Sequence, residues 1–221
     1  MNITLAPGPI VLMSDPRVAA VPVAECGEPL VDVRGTLQVD DFRADTTGSY
    51  AHLRRGVLER LVHAQSILPD GLRLLYIEGY RPPDLQRRYF EEYVAELRAA
   101  NPTWSDDRVH QAASRYVSPP EIAPHSAGAA VDLTLMDADG TELDMGTRVN
   151  ATPEESDDAC YTDAASISPL ARVNRAVLAA ALSVAGLVNY RTEWWHWSFG
   201  DRYWALMTGQ PAATCGPRAL H

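Results

Sequence analysis

Two short stretches of this chain carry residue types able to do chemistry, at spacings where chemistry is possible. Glu193 and His196 stand three residues apart inside EWWHWSF, among three tryptophans. His125 opens HSAGAAVDLTL, an HxxGxAxD pattern in which Gly128 permits a sharp bend and Asp132 falls on the polar side of an alternating segment. An imidazole nitrogen and a carboxylate oxygen brought together across such a bend are good zinc ligands at about 2.0–2.2 Å, and a catalytic zinc keeps its fourth position for water. His196 is the obvious third ligand. Glu193 would then stand beside that water as a general base. On a regular strand, positions three apart point to opposite faces, so the strand must bulge or begin after Glu193. The tryptophans would wall such a site with apolar surface, lowering the local dielectric and strengthening each contact with the metal. The competing account is core packing with incidental polar residues, and either half of the pattern taken alone favours it.

Arg81, in EGYRPP, ends an apolar stretch. It can pair with Glu78 as a purely structural group, or hold the oxyanion of a tetrahedral intermediate. His52, His63, His110 and His221 have polar or helical neighbours and no acidic partner at a useful spacing, so surface or packing roles are expected of them. Cys160 lies among acidic residues, which raise a thiol's pKa and disfavour a nucleophilic role. DADGTELD starts like a calcium loop, but its twelfth position from Asp137 is Arg148 and not glutamate, so a hairpin turn is expected.

The elements that must position these groups follow from periodicity. In AHLRRGVLERLVHAQSIL, Leu53, Val57, Leu58, Leu61 and Leu68 would line one helical face until Pro69 and Gly71. LRLLYIEGY reads as a buried strand from Leu72 to Ile77. DLQRRYFEEYVAELRAA is an amphipathic helix through Leu85, Tyr89, Tyr93, Val94 and Leu97. AAVDLTLM alternates as a half-buried strand, with Val131, Leu133 and Leu135 on one face and Ala130, Asp132 and Thr134 on the other. The acidic stretch NATPEESDDACYTD is aperiodic, SPLARVNRAVLAAALSVAG is a helix stopped by Gly186, and the tryptophan stretch is the last strand. The first 45 residues suggest extended segments and turns. The fold class expected is α+β, a small, mainly antiparallel sheet flanked by helices with the zinc site on the sheet, as a single domain over 1–221.

Composition bounds the rest. The 221 residues can bury roughly 70–75% of their unfolded surface, and 46% apolar with 22% charged residues is ordinary for a globular chain. A formal net charge of −10 disfavours nucleic acid as a partner. All 19 basic residues are arginine, which excludes a lysine-based mechanism. Cys26, Cys160 and Cys215 are odd in number and far apart, suggesting reduced thiols and neither a disulfide framework nor a metal knuckle. The N-terminal stretch lacks the basic start of a secretory signal and no run of about 18 apolar residues occurs, so no membrane partner and a cytoplasmic address are expected. The oligomeric state is not legible.

GYRP, then HSxGxAxDLTL, MGTR and EWWH, in that order over roughly residues 70–200, resemble the VanX-type zinc D-alanyl-D-alanine dipeptidases. The resemblance implies an α+β fold, one zinc per chain on His125, Asp132 and His196, Glu193 as catalytic base, Arg81 as stabiliser of the transition state, and a small dipeptide as substrate. Asn150 and Trp194 are the candidate substrate contacts. Three positions depart from the family's pattern. Ala123 stands where a serine is common, Asn150 where MGSRFD-like segments end in aspartate, and Thr36 and Val39 where a YATWDNF-like segment has tyrosine and tryptophan. Such positions help hold the charged ends of a dipeptide, so they bear on which dipeptide is cleaved and leave the hydrolytic residues intact. Two other functions stay open: a zinc carboxypeptidase or endopeptidase on cell-wall peptides, and a zinc-stabilised binding module without catalysis.

Overall fold

In the computed structural model the described residues are 8–41 and 44–220. The readings that touch Met1–Pro7, Phe42 and His221 lie outside them.

A five-stranded sheet organises the molecule, in the order β2-β4-β5-β7-β6. Its members are β2 (Gln38–Val39), β4 (Arg73–Glu78), β5 (Ala130–Met136), β6 (Val188–Asn189) and β7 (His196–Ser198). The β2–β4 pair is parallel and the other three pairs are antiparallel. A separate antiparallel pair joins β1 (Leu30–Asp32) to β3 (His52–Arg54). The chain is therefore α+β with a mainly antiparallel sheet.

Among the described residues, seven helices flank these strands: α1 (Pro16–Ala20), α2 (Arg55–Ser66), α3 (Pro83–Ala100), α4 (Asp106–Ala113), α5 (Pro153–Ser156), α6 (Pro169–Val184) and α7 (Arg202–Thr208). Their boundaries follow local chemistry. Ser168 caps α6 by accepting from the Ala171 N–H, Pro169 opens it where no N–H is needed, and Gly186 leaves it at φ 86°. The hairpin turn expected at 137–140 is present: the Asp137 N–H donates to the Thr141 carbonyl at 2.9 Å, and Gly140 takes φ 84°. Its second arm contributes one bridge, Met136 to Glu142.

Three expectations need correcting, and one helix has no counterpart among them. Leu53 lies not on the helix but in β3, since α2 begins only at Arg55. The strand β5 is buried at all seven positions and not half-buried, because it is the central strand and is covered on both faces. The acidic stretch around 150–163 contains α5, closed by a capping box between Thr152 and Glu155. The helix α4, capped by Ser105, was not legible in a polar segment and folds because Val109, Ala112 and Ala113 pack against Phe90, Tyr93 and Leu97 of α3. Among the described residues, no helix is long and apolar enough to cross a membrane.

The main core joins one face of the sheet (Leu74, Tyr76, Val131, Leu133 and Leu135) to α2, α6 and all three tryptophans of the EWWHWSF stretch. Trp194, Trp195 and Trp197 are each 3% exposed or less. Burial of such rings is the largest apolar contribution that single side chains can make.

Candidate metal centre and active site

The sheet's register sets one row of polar residues across three neighbouring strands. Asp132 on β5 lies opposite Glu78 on β4 and opposite His196 on β7. A register shift between Tyr76 and Glu78 brings that glutamate into line. All three are buried. Because β7 begins at His196, the residues before it are free of the strand's alternation, and a turn from Tyr190 to Glu193 returns Glu193 to the same side. The two-faces objection to an ExxH pair is thus met by the strand starting late.

His125 reaches this row from a 3-10 turn at His125–Ala127. Gly128 ends the turn at φ 64°, and a Cβ there would sit 2.2 Å from Leu30 Cδ2, so neither the conformation nor the space admits a side chain. The turn is tied to the end of β4 by three bonds. The His125 imidazole Nδ1 lies 2.6 Å from the Gly79 carbonyl, the Arg81 N–H donates to the His125 carbonyl at 3.2 Å, and the Ser126 hydroxyl donates to the Arg81 carbonyl at 3.0 Å.

Three potential ligand atoms result in a tight triangle. His125 Nε2 is 3.2 Å from His196 Nδ1 and 3.4 Å from Asp132 Oδ1, and His196 Nδ1 is 3.1 Å from Asp132 Oδ1. A carbonyl can only accept, so the Gly79 bond is made by an Nδ1 proton of His125, and Nε2 is the nitrogen turned to the triangle. Two imidazole nitrogens and a carboxylate oxygen, all able to ligate a metal, thus converge. Tetrahedral bonds of about 2.0–2.1 Å imply a ligand–ligand edge of about 3.3 Å, which is the size of this triangle. The residues present therefore fit a divalent cation. Burial pushes the Asp132 carboxyl up, but the two imidazoles beside it outweigh this and hold it well below the usual carboxylate range. Burial also pushes His196 down, against the pull of Asp132, which favours the neutral imidazole a metal needs.

Glu193 is buried, and its Oε2 stands 3.8 Å from His196 Nδ1. It is beside the triangle but not part of it. Arg81 does pair with Glu78: Nε and Nη2 donate to the two carboxylate oxygens at 2.7 and 2.8 Å. Its Nη1 donates to the Gln86 side-chain oxygen at 2.8 Å, and Gln86 is itself fixed by donating to the Ser118 carbonyl. The guanidinium is thereby locked while still facing the cavity. Burial acts against its charge, and Glu78 more than compensates.

These groups share one cavity of about 370 Å³, lined by Arg81, His125, Asp132, Glu193, His196 and Asn150, with Gln86, Tyr89, Tyr93, Tyr116 and Arg148 around them. Asn150 lies in its wall in the left-handed region, at φ 60°. Trp194 is not among the lining residues. Its ring is in the core, with Nε1 donating to Thr147 Oγ1 at 2.8 Å and the Arg175 guanidinium 5.4 Å from the ring. The candidate substrate contact Trp194 thus has its ring in the main core. Glu78 as an anchor and Gln86 as a clamp were missed as site residues by sequence reasoning; the only signal for Gln86 is its place one turn into a helix that starts beside Arg81. Cys160 is buried, and burial pushes its thiol up to about 11, as expected of a group outside the chemistry.

The family model described as D-ala-D-ala dipeptidase, peptidase M15, matches residues 51–210. The chain belongs to this peptidase family. The matched span contains every residue of the triangle, Glu193 and Arg81. The D-alanyl-D-alanine dipeptidase of Synechocystis sp. is 29% identical over 86% of this chain and 90% of its own length. The D-alanyl-D-alanine dipeptidase of Escherichia coli is 29% identical over 69% of this chain and 68% of its own. Among solved structures, that of the LdcB LD-carboxypeptidase is similar with a TM-score of 0.46 and 17% identity, covering 83% of this chain and 72% of that one. Of the family departures noted above, Asn150 is in the cavity wall, Ala123 is buried, and Thr36 and Val39 lie outside the cavity's lining.

Proposed function

We propose that the 221 residues act as one zinc metallopeptidase domain that hydrolyses D-Ala-D-Ala or a related small dipeptide, in the cytoplasm, with Glu193 as general base. The observation that carries the reading is the convergence of His125, Asp132, His196 and Glu193 at the wall of one cavity that also presents Arg81. Membership of the peptidase family and relatives named as D-alanyl-D-alanine dipeptidases support the substrate class.

His125 Nε2, Asp132 Oδ1 and His196 Nδ1 would hold the ion. The chemistry a zinc ion would supply there is Lewis acidity toward the scissile carbonyl and toward an attacking water, which would then lose a proton near neutrality. Glu193 accepts that proton as the water attacks and delivers it to the departing amine. Its burial limits the positions its carboxylate can take. Arg81 donates from the N–H groups that Glu78 and Gln86 leave over to the oxygen that gains charge in the transition state. The paired Glu78 carboxylate offsets much of the guanidinium's net charge, so directed hydrogen bonds and not bulk field are its contribution.

The test is Glu193→Gln. The variant should keep about one zinc per chain while turnover of D-Ala-D-Ala is lost. Retained turnover would remove Glu193 from the mechanism, and loss of the zinc itself would show that the glutamate is a ligand.

A further inference from the structure

Far apart in sequence, Cys26 and Cys215 meet in the fold. The segment at Pro22–Cys26 runs beside the C-terminal tail at Ala213–Gly216. Val23 bridges Ala213 in parallel, the Ala213 N–H donates to the Pro22 carbonyl at 2.9 Å, and the Ala24 N–H donates to the Ala213 carbonyl at 2.8 Å. Next along the two segments, the Cys26 N–H donates to the Thr214 carbonyl at 2.9 Å, which sets Cys26 beside Cys215. The Cys26 thiol is close enough to Cys215 to act on it electrostatically. Glu25 locks the register by accepting from the Gly27 N–H at 2.9 Å on one side and the Gly216 N–H at 2.7 Å on the other.

The two sulfurs differ in a way that gives each a role. Cys26 is exposed, so an oxidant in solution can reach it; Cys215 is buried over Gly200, where a Cβ would stand 2.9 Å from its Sγ. We infer that Cys26 and Cys215 form a redox-active dithiol pair, an intramolecular disulfide site that staples the N-terminal segment to the C-terminal tail. The oxidant is a low-molecular-weight disulfide. The Cys26 thiolate attacks one reagent sulfur, the reagent's S–S bond breaks, and one reagent thiolate leaves. The Cys215 thiolate then attacks the Cys26 sulfur of the mixed disulfide and expels the second reagent thiolate. The two protons lost by the cysteines end on the two reagent thiols, and two electrons pass from the pair to the reagent.

Burial pushes the Cys215 thiol up to about 12, so the closing step is the slow one and speeds up with rising pH. The staple has a structural reach. Beyond Cys215 the tail accepts from Arg54 at the Gly216 carbonyl, and the Arg218 N–H donates to Ser126, the residue after His125, at 3.0 Å. Closing the bond therefore pins the strap that lies against the turn carrying His125. It also closes almost the whole chain into one covalent loop, which restricts the unfolded state most when the loop is long.

The purified chain is incubated with oxidised glutathione at mildly alkaline pH, and thiols are titrated in denaturant. Titratable thiols should fall from three to one, with loss of two hydrogens in mass, and a peptide map should join the peptides containing Cys26 and Cys215 while Cys160 stays free. Cys160→Ala should still form the link and Cys26→Ser should not. The thermal midpoint should rise by on the order of 10 °C on oxidation and return with dithiothreitol. Three remaining thiols, glutathione left attached at Cys26, or a link that involves Cys160 or a second chain would each overturn the assignment. None of these readouts depends on catalysis, so the result stands apart from the dipeptidase reading.

Discussion

Arg81 is held at three of its nitrogens, by Glu78 at Nε and Nη2 and by Gln86 at Nη1, and that fixation defines what substitutions should do. Lysine offers a point charge and no planar fork, so it cannot keep both the Glu78 pair and an aimed donor. Arg81→Lys is expected to lower kcat about 10²–10³-fold, the range typical of a lost oxyanion donor, with KM changed far less. Gln86→Leu leaves the Glu78 pair in place and frees one edge of the fork. A smaller fall in kcat should follow, with the thermal midpoint near that of the parent. Steady-state kinetics on both variants check the pair of expectations, and an unchanged kcat in Arg81→Lys would leave Arg81 as a structural partner of Glu78.

At the level of elements, the site depends on a turn and a strand end meeting in one place. Gly128 stands where both are decided, at φ 64° with Leu30 Cδ2 filling the space of a side chain. Gly128→Ala should destabilise the fold by about 2–4 kcal/mol, from the left-handed backbone and the overpacking together, as read by denaturant unfolding. Metal removal should behave differently. The apolar face of the sheet that packs on α2 and α6 is built from Leu74, Val131, Leu133 and Leu135, none of which depends on the metal triangle. Chelation should therefore abolish turnover while leaving the far-ultraviolet circular dichroism of the helices unchanged, whereas a purely structural metal would melt the fold on removal. Collapse of the helical signal on chelation would favour the structural role.

Across the whole molecule, the two ends of the described chain are clasped around Arg54, which is fully buried. Its guanidinium donates to Glu25, to the Glu28 and Ala127 carbonyls and to the Gly216 carbonyl. Burial alone would raise the Glu25 carboxyl, but the Gly216 and Gly27 N–H groups and Arg54 hold it below its ordinary value. A carboxylate depressed in the folded state contributes stability that is complete above the unfolded pKa and is lost as pH falls through the folded one. Stability should thus decline from the ordinary glutamate range, near pH 4.3, downward. In Glu25→Gln the decline below that pH should be shallower, and the stability near neutrality lower, in denaturant melts across pH. Equal slopes in the two proteins would show that Glu25 does not link the clasp to acid unfolding.

What could be read from the order of residues alone was local or compositional. The apolar period of α3 and α6, the Gly186 stop of α6, the turn at 137–140 and the chemical identity of His125, Asp132, Glu193 and His196 all lie within short windows, where spacing and side-chain type are sufficient information. Folding decided everything that depends on which strands are neighbours. Glu78, Asp132 and His196 form a row only because β5 lies between β4 and β7 in a particular register. Trp194, read as a substrate contact, was claimed by the core because Thr147 and Arg175 meet its ring there. Cys26 and Cys215, distant in the chain, became neighbours through pairing of its two ends. Sequence periodicity reports the face of an element and is silent about what faces it, since partners are selected by long-range burial and register whose signal is spread over the entire chain.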